Sequence, residues 1–249
     1  MGVSLILKHF DGNQQLFPRY LLLGPECRRL IVYNARQIID ACLEVGLIDC
    51  RIMAYPICPD SLKEIAPCEI LIDIDYDKSK PRDVAKRQAM HIKNKTVKKI
   101  RELLQAPAYY NPTILETGNG YHIYIVLATR PLEYSRILKT TVCSNNNPSQ
   151  EFLKWIAKKC SCGKSDSNNT PTFRSCYWRL PYTFNSKNGA EVKVISEFTS
   201  ALQIPDALLV DFRMYLEDKD TRLKLAQGQR QKITVGSTNN NDYCYYSNN

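Results

Sequence analysis

The sequence predicts an α+β domain in which a mixed, largely antiparallel sheet is flanked by helices. Three observations lead there. Residues 69–77 alternate apolar and acidic side chains with the period of a strand. The turn Gly118-Asn119-Gly120 joins two strand-like runs and reads as a hairpin. Four segments carry apolar residues at helical spacing before, between and after these strands. A chain of 249 residues is long enough for one large domain or two small ones. The reading is one domain over residues 1–226. The polar, Asn-rich stretch 227–249 is expected to be a disordered tail.

The elements follow in order. Residues 1–64 read as mixed structure. Asn34 suits the N-cap of a helix over 35–45, with Ala35, Ile38, Ile39, Cys42 and Leu43 as its apolar stripe and Gly46 as its stop. A strand is expected over 49–57, and Pro56, Pro59 and Pro67 mark turns. In the acidic strand, Ile70, Ile72, Ile74 and Tyr76 share one face, and Glu69, Leu71, Asp73, Asp75 and Asp77 share the other. The first face can pack on a core. The second holds like charges about 7 Å apart, which repel unless a cation joins them. A hard ion such as Mg²⁺ or Mn²⁺ fits carboxylate oxygen, and two acids on one strand face can anchor a two-metal phosphoryl-transfer site. An acidic strand end facing water is the plainer alternative.

Asp83 suits the N-cap of a helix over 84–105, with Ala85, Ala89, Ile92, Thr96, Ile100 and Leu103 on one side. Bases cover the rest, either as a solvated face or as a phosphate-contacting face near the acidic strand. The hairpin pairs 112–117 with 121–127. Tyr121, Ile123, Ile125 and Leu127 should face the core, with His122, Tyr124 and Val126 on the other side. Gly118 and Gly120 would let the backbone approach a ligand. A helix over 150–159 presents Phe152, Leu153, Trp155 and Ile156. Residues 178–189 end in another turn before a strand over 191–195. Arg179 and Lys187 there carry fixed charge suited to a triphosphate or a nucleic-acid backbone, although isolated bases are usually surface charges. Residues 206–225 look helical.

The 34 basic and 25 acidic residues leave a net charge of +9, which suits a polyanionic partner. No run of about 18 apolar residues is present, so no membrane span or membrane partner is expected. The N-terminus lacks the apolar core of a signal peptide, and Ile6 stands where a myristoylation site wants Ser or Thr. An intracellular location is therefore expected, and buried free thiols are the default for most of the ten cysteines. His9 and His91 have no identifiable partners. Tyr109-Tyr110 could stack bases, but packing at a strand edge is the simpler reading.

In this order, the acidic strand, the hairpin and the Arg179 segment resemble the archaeo-eukaryotic primase superfamily, which includes small primase subunits and primase-polymerases. The resemblance covers about residues 65–200. Asp73 and Asp75 match its D-x-D motif. Thr117 and His122 match a motif of the form S-G-x-G-x-H, with Thr for Ser. Arg179, Leu180, Pro181, Thr183, Asn185 and Lys187 match R-L-P-G-S/T-x-N/H-x-K, with Tyr182 for the usual glycine. The resemblance implies template-directed nucleotide transfer as a DNA primase or primase-polymerase. Asp73 and Asp75 would hold Mg²⁺ or Mn²⁺, and Thr117, His122, Arg179 and Lys187 would contact nucleotide phosphates. Single-stranded DNA template and nucleoside triphosphates would be partners, and a larger primase subunit or a helicase could join them. The family's third carboxylate usually lies a few residues before R-L-P, yet residues 167–178 contain no acid. Asp166 is the nearest candidate for both catalysis and metal, with Glu191 or Glu197 as weaker substitutes.

Small primase subunits often carry zinc between the second and third motifs, where Cys143, Cys160, Cys162 and Cys176 lie. Thiolates suit tetrahedral zinc, but C-x-C is a poor knuckle compared with C-x₂₋₄-C. Disulfides or free thiols are the expectation, with zinc as the third reading. Two rivals to a primase remain: a non-catalytic primase-like accessory subunit, and another metal-dependent nucleotidyltransferase or nuclease.

Overall fold

The computed structural model describes residues 17–54, 57, 69–128, 148–166 and 176–238, with side chains left out at 148–150 and 223–238. The strands are β1 (Arg19–Leu23), β2 (Arg28–Val32), β3 (Arg51–Met53), β4 (Glu69–Asp75), β5 (Thr113–Glu116), β6 (Gly120–Val126), β7 (Tyr177–Arg179), β8 (Phe184–Asn185), β9 (Ala190–Glu191) and β10 (Lys193–Ser196). The helices are α1 (Ala35–Glu44), α2 (Arg82–Leu103), α3 (Pro148–Cys160) and α4 (Asp206–Thr238). The α+β class holds, but the strands form two four-stranded sheets and a short ribbon. One sheet runs β2-β1-β3-β7, the other β10-β5-β6-β4, and β8 pairs with β9. Among the described residues every ladder is antiparallel, and parallel pairing is limited to the isolated bridges Ile48–Phe184 and Leu127–Leu202.

Second-sheet placement follows from which side chains meet. Cross-strand partners point to the same side, so Tyr121, Ile74 and Glu116 share a face. Helix α2 covers that face: Lys93 lies 5.3 Å from the Tyr121 ring, and Lys86 pairs with Glu116 at 2.8 Å. The opposite face, carrying Leu71 and Tyr124, meets the first sheet. Tyr124 packs on Trp178 of β7 with ring centroids 4.0 Å apart, and Arg19 of β1 sits 3.9 Å from Glu69. Leu71 and Tyr124 are consequently buried. The side expected to hold His122, Tyr124 and Val126 away from the core is therefore an interior between sheets. Its acidic end emerges only at Asp73 and Asp75, half-buried and exposed in turn.

Local signals explain the helix ends. Asn34 accepts from the Gln37 amide at 2.9 Å, and the Leu47 amide closes α1 on Cys42 O at 2.8 Å beyond Gly46. Helix α2 starts two residues earlier than expected. Pro81 takes the N-cap and Asp83 lies in the first turn, where the helix dipole favours an acid. The expected strand over 49–57 shortens to β3, because Asp49 has a φ of 47° and leaves the ladder. The tail expected from residue 227 is corrected in part. Helix α4 continues past residue 227 to Thr238. Residues 239–249 lie outside the described residues. No described helix is long and apolar enough to cross a membrane.

Candidate active site between two sheets

Strand β4 is an edge strand, and its free edge is where the third acid arrives. Helix α3 is anchored by Phe152, Leu153 and Ile156, all buried. The chain then turns at Cys162 and Gly163, both at positive φ, and the Ser161 hydroxyl accepts from the Ser165 amide at 2.9 Å. This tight turn delivers Asp166, whose amide donates to Asp73 O at 2.9 Å. The backbone bond brings Asp166 beside Asp73 and Asp75 despite the long gap before Arg179. Of the substitutes, Glu191 pairs with Phe184 in the small ribbon. Glu197 follows β10 at the opposite edge of the sheet.

The acids perturb one another. Burial and the Asp166 charge push Asp73 up to about 7, against the pull of Arg179. Burial and the charges of Asp73 and Asp166 also raise Asp75, while Lys78 and His122 oppose. Asp73 Oδ1 is buried without a hydrogen-bond partner. Such a group is costly unless a cation or proton joins it. This donor set suits a hard divalent ion. Yet among the described residues no three His, Cys, Asp or Glu side chains converge to hold a metal, so the three acids are neighbours and not a closed cage.

His122 stands opposite Asp73 in the β4–β6 ladder, with Nε2 3.6 Å from Asp73 Oδ1. Its Nδ1 lies 2.7 Å from the Tyr124 hydroxyl. Burial, together with the positive charges of Arg179 and Arg51, drives its pKa down to about 3, so the ring is neutral near pH 7. The hairpin that positions it depends on Gly120, where a Cβ would run into Ile74 O of β4. At Gly118 an added Cβ would likewise meet Ala190 and Asn188, so both glycines hold neighbouring chain segments close. Thr117 is buried and turns its hydroxyl to Gly120 O at 3.4 Å.

Arg179 is buried, and its charge is already engaged. Nη1 donates to Asp49 Oδ1 at 2.9 Å and Nη2 to Asn185 Oδ1 at 3.1 Å. Asp49 also accepts from the Ser186 amide at 3.3 Å and from the Ser186 hydroxyl. Burial pushes the Asp49 carboxyl up, but the Ser186 and Arg179 bonds outweigh it and hold it below its ordinary value. Asn185 in turn donates to Thr117 O at 3.3 Å, and Asn188 donates to Asn119 Oδ1 at 2.8 Å. The hairpin turn and the Arg179 segment are thereby stitched together. Lys187 is exposed beside them.

Sequence reasoning missed two residues here. Asp49 read as the start of a strand. Arg51 pairs directly with Arg179 across β3–β7, so both point to one side, and Arg51 is half-buried with no ion pair among the described residues. Neither carried a local signal. The cysteine cluster does not assemble among the described residues. Cys160 is a buried thiol with its pKa pushed up to about 12 by burial, Cys162 is exposed, and Cys176 is buried before β7. Cys143, like His9, lies outside the described residues. Helix α2 carries His91 exposed, and Tyr110 is buried beside exposed Tyr109.

No family model matches this chain, and no curated protein matches it. Among solved structures it is similar to the crystal structure of the catalytic domain of primase Repb' in complex with initiator DNA. That similarity spans 88% of this chain and 96% of the other, at 12% identity and a TM-score of 0.50. The chain has an archaeo-eukaryotic primase-type fold. A looser likeness, with a TM-score of 0.45 and 15% identity, is to the AEP domain of a cyanophage S-2L primase-polymerase. It covers 84% of this chain and 95% of the other. At these identities the likeness speaks for the fold alone. One departure from the primase-type motifs now has a backbone account. Tyr182 stands where they carry glycine, and its φ of 62° is the left-handed conformation that glycine adopts without strain.

Proposed function

We propose that this chain is a DNA primase or primase-polymerase that transfers nucleotides to a 3′-hydroxyl under the direction of a single-stranded DNA template. The observation that carries the reading is the bond from the Asp166 amide to Asp73 O, which supplies the third acid beside Asp73 and Asp75. These three residues would hold Mg²⁺ or Mn²⁺. The bound ions would supply Lewis-acid activation of the attacking hydroxyl and charge neutralisation on the leaving pyrophosphate.

The remaining roles belong to the protein. With the Tyr124 hydroxyl donating to Nδ1, neutral His122 carries its proton on Nε2 and can donate to a phosphate oxygen. Arg51, half-buried and without an ion pair among the described residues, is the cation best placed to take the triphosphate. Arg179 shares its charge with Asp49 and would contribute through the field it sets on Asp73 and His122. Lys187, at the exposed turn, would reach the nucleotide from its outer side. Thr117, with its hydroxyl turned into the hairpin, would act by shaping the turn. A larger primase subunit or a helicase would be a partner outside this site. The Repb' domain was crystallised with initiator DNA, which supports nucleic acid as a ligand here as well.

An accessory, non-catalytic role is the second reading. It is favoured by the prior engagement of Arg179 with Asp49 and by the open spacing of the acids. The deciding experiment is primer synthesis from free nucleotides on unprimed single-stranded DNA with Mg²⁺ or Mn²⁺. Products are expected from the native chain and none from folded Asp73→Asn or Asp75→Asn. Absence of products with retained DNA binding would select the accessory role, and degradation of DNA without nucleotides would select a nuclease.

A further inference from the structure

Helix α2 holds eight of the chain's bases against two acids, a net of +6 in 22 residues, while the whole chain carries +9. Some of these bases have structural work. Lys86 neutralises Glu116, Lys99 pairs with Glu102, and Arg101 donates to Tyr110 O at 2.8 Å and to Asn111. Arg87, Lys95 and Lys98 are exposed and form no ion pair with the described residues, although Arg87 Nε donates to Asp83 O at 3.3 Å. At 100° per residue these three fall with His91 and Asn94 on the side turned away from the sheet. From Arg87 to Lys98 the row is about 16 Å long. It lies on the far side of the sheet from Asp73 and His122, because α2 packs on the Ile74 and Tyr121 face. The template-reading cleft therefore cannot use it.

We infer that this outer face of α2 docks the phosphate backbone of duplex nucleic acid, as a second contact separate from the catalytic cleft. Charge selects a polyanion. The absence of any Phe, Tyr or Trp from α2 selects a duplex over a single strand. Single strands are held through aromatic side chains on which their unpaired bases stack, whereas a duplex keeps its bases stacked and offers a dense row of phosphates. The contact goes beyond the proposed transferase activity. It would steady the duplex that lies beside, or grows from, the copied strand.

The test is fluorescence anisotropy of the full chain with a labelled 20-base-pair duplex over a range of salt concentrations, without nucleotide or divalent ion. Each lost phosphate contact lowers the slope of log K against log salt by about 0.9 for a duplex. The triple change Arg87→Gln, Lys95→Gln and Lys98→Gln is expected to reduce the slope by about 2.7. Between 50 and 200 mM salt the native chain then loses about 40-fold more affinity than the variant. Lys98→Gln alone gives a reduction of about 0.9 and serves if the triple change perturbs folding. Asp73→Asn should leave duplex binding unchanged, which separates this contact from the transferase reading. An unaltered duplex slope in both α2 variants, or a slope change confined to single strands, would overturn the inference.

Discussion

Removing Asp49 should expose how the Arg179 segment is held. Asp49 and Arg179 are joined at 2.9 Å with side chains only 7% and 10% exposed. Replacing Asp49 with Ala leaves a buried guanidinium supported by Asn185 alone, and a broken buried pair costs about 3–5 kcal/mol. Asp49→Asn keeps an acceptor and loses the charge, so its cost is nearer the 1.5–3 kcal/mol of roughly one charged hydrogen bond. Urea unfolding followed by tryptophan fluorescence measures both, since Trp178 neighbours Arg179 in β7. The sign of the pH effect follows from the lowered carboxyl of Asp49. Its contribution is complete above the unfolded value near 3.8 and is lost as pH falls through the lower folded value. The gap between native and Asp49→Ala proteins should therefore be constant near neutrality and shrink in strong acid. Adding Arg179→Met to Asp49→Ala should recover part of the loss, because no buried charge is then orphaned. A cost below about 1 kcal/mol, or a gap that widens in acid, would refute this account of the pair.

Two other perturbations test the interior between the sheets. Glu69, buried beside Arg19, has its pKa raised to about 7 by desolvation, so the folded state prefers it protonated. That preference stabilises fully below the unfolded value near 4.5 and is lost as pH rises through about 7. Glu69→Gln should accordingly gain stability relative to the native chain between pH 5 and pH 8, by up to about 3 kcal/mol; a pH-independent difference would mean that Glu69 stays charged. Arg51→Ala should weaken nucleotide binding more than it weakens folding, as read by nucleotide titration beside thermal melts, and unchanged nucleotide affinity would remove Arg51 from the site.

Strand β4, the hairpin before His122 and the first turn of α1 were legible because their signals are local. Side-chain alternation, paired glycines and a capping Asn each act within a few residues. Asp166 was legible only as the nearest acid, and the backbone bond that recruits it depends on the edge position of β4, which no local pattern encodes. Asp49 and Arg51 were not legible at all. Asp49 meets Arg179 across 130 residues, and an acid preceding a short strand looks like any surface acid until that contact closes.

The same reasoning explains why the face expected to be polar was misjudged. Alternation predicts one buried side per strand, and that holds only while one side meets water. A second sheet lies on β4 and β6, so Glu69, Leu71 and Tyr124 are buried against it while Ile70 and Ile123 are buried beneath α2 and α3. A glutamate or tyrosine inside such a layer must find a partner, as Glu69 does in Arg19 and Tyr124 in His122. Only towards the Asp73 and Asp75 end does the covering thin out, leaving carboxylates close enough to perturb one another and only partly shielded from water. Burial that raises their pKa values and partial exposure to solvent are thus two consequences of one packing arrangement.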